Sequence, residues 1–366
     1  MKTKFYCHSA NLTCMILAAL LLTSLMVGCG DDDDDDDDNA QTVDASTFLS
    51  DFANKVILAT YTDLDEKAGE LLVAVSALAA NVTDGNLASA QTAWKAARKP
   101  WEQSEAFLFG PVDTQGLDPA LDSWPVNRVD LDAVLGSGDA LTEASIDGLE
   151  DTLKGFHTIE YLLFRDGDQR KASDITSREL EYLVATTENL KSKTAQLRSA
   201  WAPTGGNFVA EIANAGVSSA AYTSQKAAVQ EMVNGMITIA DEVANGKLSD
   251  PFNEQDTTLV ESQFSFNSIS DFQDNIRGIQ NVYFGKYIED GQGLNGFVVT
   301  ADATLDTRFQ SEVQTAIDTI GAIPQPFRDS IITNRPAVQA AIDAVSKVQQ
   351  TLEQDILPLV LASDFE

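Results

Sequence analysis

From Thr47 onward the apolar residues of this chain recur every three or four positions and almost nowhere every two. Phe48, Phe52, Val56 and Ala59 fall on one helical face, and Leu71, Leu72, Val75, Leu78 and Ala79 continue it. A repeat near 3.6 residues buries one stripe of a helix, whereas a half-buried strand needs strict alternation. Gly296-Phe297-Val298-Val299-Thr300 is the one short strand candidate. The pattern predicts an all-α fold. The chain has 366 residues, 44% of them apolar, which is enough for one large helical unit or two of ordinary size.

Breaker residues set the expected boundaries. Asp84-Gly85 interrupts the first run, and a second helix is predicted over residues 87–109 with a kink at Pro100, whose ring removes a helical hydrogen bond. Gly110-Pro111 ends it. Residues 111–146, with Pro119, Pro125, Gly136 and Gly138, read as a long irregular connection, a feature that usually serves function. A third helix is expected over 147–164, and Thr176 with Glu179 forms a capping box for a fourth that ends near Trp201. Trp201-Ala202-Pro203-Thr204-Gly205-Gly206-Asn207 is the strongest linker signal in the body. It divides the body into two predicted helical bundles, residues 47–205 and 206–366, the second with helices near 221–245, 268–289, 302–320 and 335–361. Residues 94–110 and 269–285 share apolar spacing and a final Phe-Gly, which suggests an ancient duplication. The second half holds no histidine, so a duplicated site there would have lost its chemistry. Gly291-Gln292-Gly293-Leu294-Asn295-Gly296 fits Gly-x-Gly-x-x-Gly, but it follows a helical stretch and opens no predicted helix, so it reads as a loop.

The start of the chain carries other information. Residues 1–28 look like a secretory leader: Lys2 and Lys4 precede an apolar run from Met15 to Met26 that is too short to span a bilayer comfortably. Leu25-Met26-Val27-Gly28-Cys29 resembles a bacterial lipobox, which makes Cys29 the lipidated first residue of the mature chain. The expected location is therefore the envelope of a Gram-negative bacterium, with the lipid in the outer membrane or at the periplasmic face. An ordinary secreted protein or a retained anchor is the alternative. Asp31 to Asp38 are eight repelling charges, so residues 29–46 read as a disordered, solvated tether in preference to a calcium tract. A formal net charge of −32 makes nucleic acid and anionic lipid poor partners and cations good ones. Cys7, Cys14 and Cys29 all precede the body, which can hold no disulfide of its own.

The chemistry centres on Gly155-Phe156-His157-Thr158-Ile159-Glu160-Tyr161-Leu162-Leu163-Phe164. His157 is the only histidine besides His8, and three residues later comes an acid in an otherwise apolar run. On a helix that spacing sets imidazole and carboxylate side by side. Either the pair is satisfied by polar neighbours or it belongs to a metal site. Glu102 and Glu105 share the same spacing on the second helix, and the two helices facing each other would make a mixed nitrogen and oxygen site. Arg98, one turn before Glu102, could instead hold that carboxylate in a surface ion pair. Asp122, in Leu121-Asp122-Ser123-Trp124-Pro125, sits in an apolar setting that could fold over the site.

Trp94-Lys95-Ala96-Ala97-Arg98-Lys99-Pro100-Trp101-Glu102-Gln103-Ser104-Glu105, then Ser123-Trp124-Pro125, then Gly155-Phe156-His157-Thr158-Ile159-Glu160-Tyr161 resemble the imelysin family. Its hallmark, Gly-x-His-x-x-Glu, is matched at Gly155, His157 and Glu160. Ser265-Phe266-Asn267-Ser268, Asp271-Phe272 and Asn281-Val282-Tyr283-Phe284-Gly285 resemble its second-half pattern. The resemblance spans residues 47–361. It implies two bundle-like halves with a site near their junction, in a periplasmic or outer-membrane protein that works with iron-transport partners. On this reading a divalent or ferric ion, iron in preference to zinc, is held by His157, Glu160 and Glu105. Glu102 or Asp122 then completes or orients the shell, and Arg98 balances charge or holds an anionic co-ligand such as carbonate. Family members are also classed as metallopeptidases. A zincin needs His-Glu-x-x-His, and one histidine in the body argues against turnover. Zinc on the same residues, with Glu102 as base, remains the enzymatic alternative. A metal-free binding module, in which His157 and Glu160 bond only each other, is a third.

Overall fold

The computed structural model describes residues 43–165, 167 and 170–365. The leader, Cys29 and the aspartate run lie outside the described residues. Among the described residues there is no strand; the one β contact is an isolated parallel bridge between Val43 and Phe365, with Val43 N donating to Asp364 O at 2.8 Å. The helices that frame the site are α1 (Ala59–Ala80), α2 (Asp84–Ser104), α3 (Leu117–Asp122), α4 (Gly155–Phe164), α5 (Ser177–Trp201), α6 (Gln225–Asp241), α7 (Ser268–Phe284), α8 (Ala303–Gly321) and α9 (Arg335–Thr351). No helix of the described residues is long and apolar enough to cross a membrane.

Local chemistry accounts for most of these ends. Thr83 caps α2 by accepting from Asn86 N at 3.2 Å, and α2 then runs through Pro100 before tightening into a 3-10 turn at Glu105–Phe107. The Thr176 and Glu179 capping box at the start of α5 forms as its sequence predicts. α1 packs along α2 and α5, α8 along α7 and α9, and α6 against α7 and α9. The two groups meet where α2 lies on α7, and these are the helices that carry the two similar sequence segments. Gly278 permits that crossing, because a side chain there would meet the Gln103 carbonyl. The buried apolar core is continuous across it.

Three details differ from the sequence expectation. The 111–146 connection contains short helices, Pro111–Thr114, α3, Arg128–Gly136 and Glu143–Asp147. The strand candidate at 296–300 lies in a helix, Leu294–Ala301, whose buried residues Leu294, Phe297 and Val298 are three and four apart. That spacing outweighs the β-branched pair Val298-Val299. The same helix begins right after Gly293, so the glycine-rich segment does open a helix, although no strand precedes it.

Candidate metal centre

Gly155 begins α4 with φ +77°, and a Cβ at this position would run into the carbonyl of Leu121. Only glycine combines that backbone with so close an approach. The first turn of α4 therefore lies directly on the end of α3, and His157 is brought to Asp122. Every residue from Gly155 to Phe164 is buried, as suits a helix that is apolar on all sides.

The two nitrogens of His157 face different partners. Nδ1 lies 3.3 Å from Glu160 Oε2. Nε2 points the other way, 3.2 Å from Asp122 Oδ1 and 3.7 Å from Glu261 Oε1, yet has no aligned hydrogen-bond partner among the described residues. The Trp124 ring covers the imidazole, its centroid 4.7 Å away. Glu160 is anchored from the second half of the chain: its Oε1 accepts from Phe264 N at 3.0 Å, Ser265 N at 2.8 Å and Ser265 Oγ at 2.8 Å.

Around this pair lies a buried network of charge. Arg98 is fully enclosed, paired with Glu102 and Asp122, 2.7 Å from Glu261 Oε1 and 3.9 Å from Asp271 Oδ1. Trp101 Nε1 donates to the other oxygen of Asp122 at 2.7 Å. Lys247 Nζ reaches Glu105 Oε2 at 2.6 Å, Glu261 Oε2 at 3.2 Å and Glu102 Oε2 at 3.5 Å. Asn275 Nδ2 donates to Glu102 Oε2 at 2.7 Å and Glu105 Oε2 at 2.8 Å.

Counting charges explains the protonation pattern. Six carboxylates (Glu102, Glu105, Asp122, Glu160, Glu261 and Asp271) share the interior with two fixed cations and one imidazole. Burial pushes the Glu102 carboxyl well above its ordinary value, against the pull of Arg98 and Lys247. Burial and then the neighbouring Glu102 do the same to Glu105. Asp271 rises to about 7 through burial, with Arg98 opposing and Glu261 adding to the shift. Burial would also raise Asp122, but Arg98 and His157 outweigh it and hold that carboxyl below the usual range. Burial of more carboxyls than cations therefore favours their neutral forms, and a further positive charge in the cluster would oppose that.

Two sets of ligand atoms lie within 4.8 Å of one another: Asp122, His157 and Glu261, and Glu102, Glu105 and Asp122. They overlap at Asp122. The residues named from sequence thus converge, but in different positions from those expected. Glu160 lies on the Nδ1 side of the ring, away from Asp122 and Glu261. Glu102 and Glu105 face Lys247 and Asn275. Arg98 is surrounded by the chain's own carboxylates, which take the positions an anionic co-ligand would need. Sequence reading missed Glu261, Lys247 and Asn275, and named Asp271 only as part of the second-half pattern. The Ser265-Phe266-Asn267-Ser268 resemblance lay four residues from Glu261 and was the one signal pointing there.

Residues 57–354 match the family model described as Imelysin. The chain belongs to the imelysin family. It is 30% identical over 347 residues to Iron-regulated protein A of Synechococcus elongatus, a match that covers 92% of this chain and 94% of that protein. A crystal structure described as an iron-regulated protein A precursor, from Parabacteroides distasonis, superposes with a TM-score of 0.80 at 30% identity and covers 88% of this chain and 96% of that one. An imelysin-like protein from Psychrobacter arcticum shares the fold at 12% identity, with a TM-score of 0.72 over 87% of this chain and 96% of its own. In this imelysin the hallmark glycine sits against the Leu121 carbonyl, the histidine turns Nε2 toward Asp122 and Glu261, and the glutamate lies at Nδ1.

Proposed function

We propose that this imelysin is a metal-binding protein of the bacterial envelope, tethered through a lipid on Cys29, that takes up an iron ion for transport partners without turnover. One observation carries the reading: His157 Nε2 is buried, lacks an aligned hydrogen-bond partner among the described residues, and faces Asp122 and Glu261. An unpaired ring nitrogen in a dry interior is costly. A cation there would satisfy it and offset the excess of carboxylates. Imidazole with two carboxylates suits ferrous iron and also accommodates zinc. His157, Asp122 and Glu261 are the ligands in this reading, and Glu160 orients the ring from its far side, as carboxylates commonly do behind metal-bound histidines. The name of the cyanobacterial relative supports iron as the ion.

The test is metal analysis of full-length chain purified without chelator, with anaerobic ferrous titration of the metal-free form. Wild type is expected to hold one ion per chain and His157→Ala to lose at least tenfold in affinity. Equal affinity in the two would sink the reading.

A further inference from the structure

The second ligand set, Glu102, Glu105 and Asp122, has two cations beside it: Arg98 pairs with Glu102 and Asp122, and Lys247 sits at the two glutamates. The Lys247 ammonium lies among Glu105, Glu261 and Glu102, with Glu242 Oε1 at 3.9 Å, and its side chain is only 7% exposed. It comes from a π-helical turn, Glu242–Leu248, that directly follows α6. Such turns insert one residue into a helix and re-aim the side chains on it. Asn275 gathers Glu102 Oε2 and Glu105 Oε2 from the other side. Two carboxylates drawn together by one amide and bridged by one ammonium form a coordination set filled by the protein itself.

We propose that Lys247 occupies the second cation position of this centre and so limits it to a single ion. A metal ion at the His157 group and the ammonium at the glutamate pair then share Glu261 between them. Without the ammonium, and with Arg98 still on Glu102 Oε1 and Asp122 Oδ1, the Oε2 atoms of Glu102 and Glu105 lose their cation, and with Asp122 they offer an all-oxygen set of the kind that takes hard divalent ions such as manganese. The ion count of wild type depends on the function proposed above. The gain on removing Lys247 does not.

Manganese binding to the full chain, followed by equilibrium dialysis and by the electron paramagnetic resonance signal of free Mn2+, tests this. Lys247→Met is expected to bind one Mn2+ more than wild type, Lys247→Arg the wild-type number, and Lys247→Met with Glu105→Gln to lose the gain. The extra ion should persist in Lys247→Met with His157→Ala. If wild type binds no Mn2+ while Lys247→Met gains one, this proposal stands, and the His157 reading is decided separately by its ferrous titration. A folded Lys247→Met with wild-type stoichiometry overturns the proposal. Lys247→Gln serves as a second variant. Should both fold poorly, excess Mn2+ must restore their melting temperature where potassium at equal ionic strength does not, and failure to do so also overturns it.

Discussion

At the scale of single residues, Glu160 decides which edge of the His157 ring faces Asp122 and Glu261. A carboxylate can only accept, so Glu160 holds the Nδ1 edge of the ring and the Nε2 edge is left facing Asp122 and Glu261. Three donors hold Oε1 of Glu160, so the Glu160→Gln amide would place its oxygen there and turn its NH2 toward Nδ1. The ring would then carry its proton on Nε2. Glu160→Gln should therefore weaken ion binding about 10–100-fold with little change in fold. The 15N shifts of the His157 ring, compared with wild type, should report the loss of the Nδ1 proton. Unchanged shifts with unchanged affinity would refute the orienting role. The sequence made His157 and Glu160 conspicuous, because two polar groups in an apolar helix need partners. It could not tell ligand from orienter, since the spacing fixes that they are neighbours and leaves open which ring edge they share. Glu261 gave no signal of its own, because it lies in an irregular stretch where no period marks a buried position.

At the scale of elements, helix identity was legible wherever the apolar repeat ran for several turns, as in α1, α2, α5 and α7. Short helices between residues 111 and 146 were not, because one or two turns show no period. The π turn at Glu242–Leu248 was also hidden, since a single extra residue shifts the repeat without breaking it. Gly155 is the element-level constraint that matters most, because it decides how α4 meets α3. Replacing it with alanine forces a side chain onto a left-handed backbone and into the Leu121 carbonyl. Gly155→Ala should cost about 3 kcal/mol in chemical denaturation. It should also weaken ion binding, because α4 must move away from Asp122. Wild-type stability and affinity together would show that the α3–α4 approach is not what assembles the site.

At the scale of the whole molecule, the centre belongs to neither sequence half. His157, Asp122, Glu102 and Glu105 come from before the Trp201–Asn207 linker, while Glu261, Lys247, Asn275 and the donors to Glu160 come from after it. The helical repeat and the lone histidine were visible in the sequence. The convergence across the α2–α7 face was not, because contacts so distant along the chain leave no periodic trace. It follows that an ion at His157 should stabilise the molecule across both halves. With the ion at a hundred times its dissociation constant, linkage predicts about 2.7 kcal/mol of added stability. Glu261→Gln leaves α4, Gly155 and the His157–Glu160 pair in place but removes a ligand charge supplied by the other half. It should abolish most of the ion-dependent rise in melting temperature, measured by calorimetry with and without ferrous ion, while leaving the metal-free melt close to wild type. A Glu261→Gln protein that retains the full rise would assign the ion to the first half alone.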